Sequence, residues 1–483
     1  MNYKMVTFVL GRAIFALGVF LALPTVCAIA FKESIIPFLV PMAISLLIGA
    51  LLSAKKPADS RMLSLEGFIC VALSWIALSL IGCLPLIISG AIPSFIDAFF
   101  ETISGFTTTG ASVLAEIETL PKGILLWRCF TQWIGGMGVL VFLLAVMPKA
   151  DIKSTKFMHA MKAEMPGPSV AKVVPKIADT ARVMYGIYIA LTIVLFVLLM
   201  FGDMNVYESL CHAVSTAGTG GFGIKNDSLA SYSAYSQYVI AVFMMLFAIN
   251  FNVYFLIIIG NFIKGIKSEE LWWYIGIASV STLVISLIVS GLFGSSEESF
   301  RHAFFQVASI MSTTGFSTSD FGAWPVIAQA ILLLLMFGGG SAGSTAGGIK
   351  ISRVLLLAKN AGREIKYLLH PRAIISVKFE GKKVEHETVR STTSYIIIYA
   401  GLLILSSLLI VAFESVDLVT GFSSAVTTLN NVGPGLAEVG PSSNFGGMSV
   451  VSKLVLCFNM IAGRLELFPI LILFSPMSWK KTA

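Results

Sequence analysis

Ten long apolar runs occupy most of this 483-residue chain, and they restrict its fold more than any other feature. A helix that crosses a bilayer needs about 20 mostly apolar residues. Only 12% of the residues are charged, whereas soluble domains contain about 25%. The runs lie at residues 5–31, 34–54, 65–90, 124–148, 181–202, 231–265, 270–294, 322–358, 391–413 and 447–475. We therefore predict an all-α polytopic membrane protein with ten spans.

Reactive side chains do not cluster along the sequence. The six cysteines contain no CxxC pair and the five histidines no HExxH spacing, so neither a zinc site nor a disulfide framework is indicated. A membrane-embedded enzyme needs carboxylates, histidines or a nucleophile and its base gathered at membrane depth, and the sequence contains no such group. We therefore expect no enzymatic activity.

Four shorter apolar segments alternate with the long runs and cannot cross a bilayer. They lie at residues 94–109, 204–220, 298–314 and 416–432, and each ends in a stretch rich in Gly, Ser, Thr or Asn. Segments of this length beside membrane spans are typical of re-entrant helices. We predict that all four are re-entrant pore helices.

Aligning these segments on one glycine each reveals an internal repeat. The aligned glycines are Gly110, Gly221, Gly315 and Gly433. Six residues earlier the chain carries a hydroxyl each time, at Ser104, Ser215, Ser309 and Thr427. Two residues earlier it carries a polar side chain, at Thr108, Thr219, Thr313 and Asn431. This register predicts four pseudo-symmetric helix–pore helix–helix repeats around one central pore, at residues 61–150, 176–266, 267–362 and 388–483, after a two-helix segment at 1–60.

Basic residues give the orientation of the chain. The loops at 149–182 and 350–390 are strongly basic, and 26 of the 33 Lys and Arg residues fall on one side of the ten-span arrangement. The positive-inside rule makes this side the cytoplasm, so both termini are cytoplasmic and the four short segments lie outside. The basic loops are either topology signals alone or sites for a cytoplasmic partner or anionic lipid headgroups. Acidic residues concentrate toward the outer side, either as a negative vestibule or as ordinary solvated loop charge.

The residues around the aligned glycines predict a selectivity filter for a dehydrated cation. Backbone carbonyls can replace the water shell of an ion when they point at one axis, and glycine permits the backbone conformations that this requires. Irregular backbone at membrane depth is otherwise tolerated only where it lines a wet cavity or is buried in protein. The candidate ion ligands are Thr108, Thr109, Gly110, Gly220, Gly221, Thr313, Thr314, Gly315, Asn431, Val432 and Gly433.

Two further features indicate a gate. Glycines interrupt the eighth run at Gly338, Gly339, Gly340, Gly343, Gly347 and Gly348, and so many glycines should break its helix. The alternative is close helix packing through small residues. Arg464 lies deep in the last run, so it should face a wet cavity, an acidic partner or free carbonyls. Arg128, near the outer end of the fourth run, is assigned an interfacial position.

Six motifs resemble the Trk/Ktr/HKT superfamily of potassium transport subunits, and within it the bacterial TrkH/TrkG type. They are FTTTGA at 106–111, QWIGGMG at 132–138, AEMPGP at 163–168, SAGSTAGGIK at 341–350, LNNVGPG at 429–435 and GRLE at 463–466. The resemblance covers essentially the whole chain. The second filter segment, with Gly218, Gly220 and Gly221, is richer in glycine than this family leads us to expect, which could loosen that strand.

The resemblance implies potassium uptake across the bacterial inner membrane through a single-chain fourfold pore. It also implies a loop under the filter as gate, a pore arginine that repels cations, and a homodimer. A peripheral cytoplasmic regulatory subunit of TrkA type would bind NAD or ATP. The resemblance implies K⁺ as the transported ion, and we expect no nucleic-acid partner. This chain has no GxGxxG between a strand and a helix, so we expect the partner and not this chain to bind any nucleotide. A less selective Na⁺, K⁺ or NH₄⁺ conductance and proton-coupled K⁺ symport remain open alternatives.

Overall fold

Helices form almost all of the regular structure of this protein. A computed structural model describes residues 2–57, 64–138, 177–373 and 375–476. In chain order, helices α1 to α20 span Tyr3–Phe20, Ala22–Ala30, Ile36–Ser53, Ser64–Gly82, Leu84–Ile88, Phe95–Phe106, Lys122–Gly136, Ile177–Met200, Val206–Gly218, Ala234–Phe247, Phe251–Ile258, Phe262–Ile266, Glu269–Ile288, Ser296–Met311, Val326–Gly338, Ile351–Leu369, His386–Phe413, Leu418–Leu429, Val450–Arg464 and Phe468–Phe474. Strands β1 (Lys378–Phe379) and β2 (Lys382–Lys383) form one short hairpin. The predicted all-α class is confirmed.

Six of the ten predicted spans correspond to helices that are long and apolar enough to cross a membrane. By length and composition these are Tyr3–Ala30, Ile36–Ser53, Leu65–Ile88, Ala181–Met200, Glu269–Ile288 and His386–Phe413. The remaining four predicted spans do not form single long helices in the described residues, so ten crossings remain a prediction. Part of the span at 124–148, most of the basic loop at 149–182, the motif at 163–168 and the C-terminal lysines lie outside the described residues.

Three of the helices that follow the filter segments are broken. Helices α10 and α11 meet at 87° between Phe247 and Phe251. Helix α15 ends at Gly338 and α16 begins at Ile351, while α19 ends at Arg464 and α20 begins at Phe468. The sequence predicted the break at the glycines; the other two occur without such a signal. At the third break, Glu466 and Leu467 take left-handed φ angles of 55° and 68°.

Four short helices, α6, α9, α14 and α18, correspond to the predicted pore helices. Each begins with a side chain that accepts a hydrogen bond from the backbone N–H three residues later, which satisfies one of the free donors of a helix start. The capping residues are Ser94, Asn205, Ser295 and Asp417. The repeat seen in the sequence therefore has the same local structure at all four positions.

The N-terminal helices α1 and α3 pack against each other through glycines. A Cβ atom at Gly49 would lie 2.5 Å from the backbone nitrogen of Phe15, and one at Gly11 would lie 2.7 Å from Leu52 Cβ. Contact this close lets the two backbones approach without bulky side chains between them. Helix α1 also packs against α4, which joins this pair to the first repeat.

Replacing Gly49 by Leu is expected to destabilise the protein by about 1–3 kcal/mol, because the new side chain overpacks the contact with α1. The thermal unfolding midpoint of the purified protein in detergent measures this. Gly401→Leu is the matched control, because a Cβ atom at Gly401 meets no atom within 4 Å. Equal midpoints for the two variants would contradict the packing.

Candidate functional site

The four predicted filter segments meet in a closed ring. A Cβ atom at Gly110 would lie 2.2 Å from the carbonyl oxygen of Gly220, and one at Gly221 would lie 2.0 Å from that of Thr314. The corresponding distances are 2.2 Å from Gly315 to Val432 O and 2.6 Å from Gly433 to Thr109 O. Each glycine thus abuts the carbonyl that precedes the glycine of the next segment. A side chain at any of the four positions would collide with its neighbour.

The same two positions of every segment adopt left-handed backbone conformations. The ring glycines have φ angles of 82°, 80°, 88° and 101° in chain order. The residues two positions earlier have φ angles of 53° to 56°, and they are Thr108, Thr219, Thr313 and Asn431. Sequence reasoning anticipated the glycines but not the threonines. A β-branched residue in this region is strained by roughly 1–3 kcal/mol, which only a well-determined surrounding structure maintains.

Hydrogen bonds at the ends of the four short helices produce this conformation. In each segment the N–H immediately before the ring glycine donates to the carbonyl five residues earlier, at 2.8–3.1 Å. The left-handed residue donates to the carbonyl three residues before it. Together these two bonds form the Schellman arrangement that ends many helices. The predicted filter therefore begins as a helix cap, repeated four times.

Three of the four hydroxyls that stand six residues before the ring glycines bind other parts of the chain. Ser309 Oγ donates to Phe316 O at 2.6 Å, and Thr427 Oγ1 donates to Pro434 O at 3.1 Å. Ser215 Oγ donates instead to Gln132 Oε1 at 2.7 Å. The aligned hydroxyls therefore bind the chain just beyond the ring in two repeats and reach another helix in a third.

A cavity of about 140 Å³ opens on one face of the ring. All four ring glycines line it, together with the loops at 111–117 and 439–445. Its charged lining residues in the described part of the chain are Arg128 and Lys225. Several acidic residues cap helices or pair locally, as Asp97 does with Lys453 at 2.5 Å.

The glycine-rich loop between α15 and α16 lies against the other face of the ring. The backbone N–H of Gly347 donates to Thr313 Oγ1 at 2.6 Å, and a Cβ atom at Gly347 would lie 2.3 Å from Asn430 O. Gly339 packs on Gly347 and Gly348, so the loop folds back on itself. Gly338 ends α15, and Gly340 packs against Ala346 and Ala248. The small residues thus permit close packing within a broken helix rather than between two continuous ones.

This loop is docked into the break between α10 and α11. Ser341 N donates to Ala248 O at 2.9 Å, and Thr345 Oγ1 donates to Phe247 O at 3.1 Å. In return Phe251 N donates to Gly343 O at 3.1 Å. The backbone groups freed by one break therefore pair with those freed by the other.

Buried Glu270 fixes both ends of the glycine-rich loop. Its Oε1 accepts from Ala342 N at 2.7 Å and from Ser352 N, in the first turn of α16, at 3.2 Å. A carboxylate at a helix start is favourable because the free N–H groups carry partial positive charge. Sequence reasoning missed this residue, which lies 72 positions from Ala342.

Arg464 connects its own repeat with the first and the third. Its guanidinium donates to Gly135 O at 2.5 Å, to Gly136 O at 2.6 Å and to Thr345 O at 2.7 Å. It also lines a cavity of about 50 Å³ with Gly343 and Gly347. Hydrogen bonds to carbonyls and a position beside a cavity were alternative predictions from the sequence, and both are found.

A second cation, Lys350, lines the same cavity. Its side chain is buried and donates to Ala346 O. Glu466 also lines the cavity, but its carboxylate forms an ion pair with Arg353. Sequence reasoning counted Lys350 with the basic loop, although its position directly after the glycine motif was a signal that it lies near the gate.

Arg128 is buried inside the protein, in an ion pair that its sequence position did not reveal. It is only 2% exposed, and its Nε and Nη2 donate to Glu101 Oε1 at 2.9 and 2.6 Å. Glu101 also accepts from Ser112 Oγ and Val113 N at 2.9 Å each. The guanidinium stacks 4.3 Å from the ring centre of Phe222. This buried ion pair supports the first segment just beyond Gly110 and touches the second just beyond Gly221.

The glycines of the second segment do not leave that strand unsupported, contrary to what the sequence suggested. A Cβ atom at Gly218 would lie 2.3 Å from Gln132 O, so helix α7 packs directly against the backbone there. Gln132 Nε2 donates to Gly220 O at 2.7 Å, and its Oε1 accepts from Phe222 N at 3.0 Å. Gln132 is a second functional residue that sequence reasoning missed, although it begins a recognised motif.

No carboxylate or histidine site for a metal accompanies the ring. Within the described ranges, no group of three or more His, Cys, Asp or Glu residues is placed to hold a metal ion. The oxygens gathered at the ring come from backbone carbonyls and from hydroxyl and amide side chains. Such neutral ligands suit a monovalent ion, whereas sites for divalent ions generally include carboxylates.

The chain is similar to known proteins over essentially its whole length. Residues 37–481 match the TrkH family, described as a cation transport protein. The Trk system potassium uptake protein TrkH of Salmonella typhimurium is 35% identical, and TrkG of Escherichia coli K12 is also 35% identical, with at least 99% of each chain covered. The crystal structure of the potassium transporter TrkH from Vibrio parahaemolyticus superposes with a TM-score of 0.89 and 33% identity, covering 99% of this chain and 100% of that one.

Replacing Arg128 by Met is expected to destabilise the protein by about 3–5 kcal/mol, because Glu101 would remain buried without its partner. Adding Glu101→Gln should recover part of this loss. Unfolding of the purified protein in detergent measures both changes. Arg363→Met serves as control, because the surface pair with Glu364 contributes about 0–1 kcal/mol. Equal effects of Arg128→Met and Arg363→Met would contradict the role of the buried pair.

Proposed function

This chain belongs to the TrkH family of cation transport proteins, and on that premise we propose that it carries K⁺ into the cell through the four-glycine ring. The closed ring itself carries the proposal, since each glycine abuts the carbonyl before the next glycine. Relatives at 35% identity are named potassium uptake proteins, which supports K⁺ as the transported ion. Permeation by other monovalent ions is an outcome that the flux assay below distinguishes.

Helix dipoles favour a cation at the ring. The four short helices end three or four residues before the ring glycines, so their carboxyl ends, with partial negative charge, surround this point. Thr108 Oγ1 adds a buried hydroxyl without a hydrogen-bond partner in the described part of the chain. An unpartnered buried oxygen is available to a dehydrated ion, which would otherwise lack ligands.

We propose that the glycine-rich loop and Arg464 form the gate. The loop contacts the ring through Gly347, and Arg464 holds the loop through Thr345 O. Two cationic side chains, Arg464 and Lys350, line the cavity beside this loop, and like charge repels an incoming cation. Opening would require the loop to leave the broken helix α10–α11, which exposes the backbone groups that it now pairs with.

The setting of the protein is proposed from charge and resemblance. The basic loops favour a cytoplasmic location for both termini, in the inner membrane of a bacterium. We also propose a homodimer, contact with membrane lipid and a TrkA-type regulatory subunit that binds NAD or ATP. That subunit would bind the nucleotide, and this chain would conduct the ion.

Expression in a bacterium that lacks its own potassium uptake systems is expected to restore growth at low K⁺ and to give ⁸⁶Rb⁺ uptake that excess Na⁺ does not inhibit. Cells are tested with and without a TrkA-type subunit. Uptake abolished by equal Na⁺ would indicate the less selective conductance instead. No growth and no uptake in either background, with protein present in the membrane, would contradict the proposed function.

Gly315→Ala is expected to lower ⁸⁶Rb⁺ uptake at least about tenfold, equivalent to about 1.4 kcal/mol of barrier, because the new Cβ collides with Val432 O. Gly401→Ala is the matched control and should leave uptake unchanged, since its surroundings are open. Wild-type uptake by Gly315→Ala would refute the role of the ring.

Arg464→Ala is expected to raise basal ⁸⁶Rb⁺ flux in the absence of a regulatory subunit, because it removes both a positive charge and the hydrogen bonds that hold the loop. Arg464→Lys keeps the charge and should raise the flux less. Flux is measured in proteoliposomes made from each purified variant. Unchanged or lower flux in correctly folded Arg464→Ala would rule out this gate.

A further inference from the structure

The four segments of the ring are not equivalent in how their side chains brace them. In the first segment Thr107 Oγ1 and Thr109 Oγ1 are 2.8 Å apart, and in the third Ser312 Oγ and Thr314 Oγ1 are 2.7 Å apart. These hydroxyl pairs are buried and stand three residues and one residue before the ring glycine. Each pair joins two residues of its own segment beside the ring.

The second segment has no side chain at either of these positions. Gly218 and Gly220 stand where the first and third segments carry their hydroxyls. The φ angle of Gly220 lies outside the left-handed region, so its backbone alone does not require glycine. A Cβ atom at Gly220 would lie 2.3 Å from Gln132 Cδ and 2.6 Å from Gln132 Oε1. Gly220 is therefore needed because Gln132 occupies the space.

Gln132 binds the second segment at three points. Its Nε2 donates to Gly220 O at 2.7 Å, and its Oε1 accepts from Phe222 N at 3.0 Å and from Ser215 Oγ at 2.7 Å. The side chain is fully buried, so water does not compete for these bonds. One carboxamide thus joins the short helix, the carbonyl before the ring glycine and the amide after it.

The bond to Gly220 O also makes the four carbonyls of the ring unequal as ion ligands. Gly220 O is one of the four carbonyls that abut a ring glycine, and one of its lone pairs is shared with Gln132. Among the described residues the structure gives no donor to the matching carbonyls of Thr109, Thr314 and Val432. A carbonyl that accepts such a bond is held in place and is a weaker ligand for an ion.

We propose that Gln132 is a positioning residue that replaces the missing hydroxyl pair of the second segment, fixes Gly220 O at the ring and thereby sets the discrimination between K⁺ and Na⁺. The inference rests on the proposed function, because it assigns a role within the same pore. Gln132 and Gly220 depend on each other. The side chain of Gln132 fits only because residue 220 has no side chain, and the second segment, which lacks a side chain there, is held by the carboxamide of Gln132.

Reciprocal substitution tests this pairing. Gln132→Ala removes the three bonds and leaves a void, and Gly220→Ser collides with Gln132. Each is expected to lower the ratio of ⁸⁶Rb⁺ to ²²Na⁺ uptake about tenfold, within the coupling range of residues in contact. In the double variant Gln132→Ala/Gly220→Ser the serine no longer collides with Gln132, so the ratio should fall no further than in Gln132→Ala alone, and the two effects should not add.

Two controls separate positioning from a general structural role. Gln329→Ala removes a glutamine whose Nε2 donates to Gly322 O and Trp324 O at 2.8 Å, away from the ring, and it should leave the ratio unchanged. Gln132→Met keeps the side-chain volume while losing the hydrogen bonds, so it serves if Gln132→Ala fails to fold. It should lower the ratio as well, whereas a purely structural residue would change the amount of protein and not the ratio.

The outcomes distinguish this inference from the proposed function. A lowered ratio in Gln132→Ala that Gly220→Ser does not lower further in the double variant supports the pairing. A wild-type ion ratio in both Gln132→Ala and Gln132→Met overturns the inference, and so does a double variant with a lower ratio than either single variant. In both cases uptake by the wild-type protein leaves the proposed function intact. Absence of ⁸⁶Rb⁺ uptake by the wild-type protein overturns both.

Discussion

Hydrocarbon offers no hydrogen-bond partner to a backbone group that leaves a helix, and the arrangement around the ring follows from this constraint. The glycine-rich loop could not exist in the membrane without the break between α10 and α11, whose free groups at Phe247, Ala248 and Phe251 it satisfies. Arg464 does the same for the carbonyls at the end of α7. Backbone groups that are free in one repeat thus form hydrogen bonds with groups of another repeat, so these groups are paired within the membrane.

The ring also depends on hydrogen bonds to backbone groups that have left a helix, here within each short segment. Every segment leaves its short helix through one residue in a left-handed conformation, and three of these residues are threonines that disfavour it. Two cap hydrogen bonds hold this conformation in each segment, and contacts from outside add to them. Gly347 N binds Thr313, and Asn431 Nδ2 links Thr109 Oγ1 to Met460 O. Backbone strain at the ring is therefore supported both by neighbouring segments and by the glycine-rich loop.

Sequence patterns predicted elements well where the signal was local or repeated. Six of the ten apolar runs form long helices, and the hydroxyl six residues before each glycine marked the register that the ring shares. Partners distant in sequence were missed. The sequence did not reveal the ion pair of Arg128, because Glu101 lies 27 residues away on another helix. It did not indicate a role for Glu270, because the partners of that residue lie 72 and 82 residues away. No run of glycines in the sequence predicts the breaks at 247–251 and 464–468.

By itself the sequence determined the membrane class, the fourfold repeat and the four glycines, because hydropathy, spacing and a left-handed backbone are properties of single segments. Only the tertiary structure decided which groups meet when the four segments close. It set Gln132 into the space left by Gly220, brought Lys350 beside Arg464, and paired one broken helix with another. The physical reason is that such contacts depend on distance and direction between segments, which no pattern along one segment records.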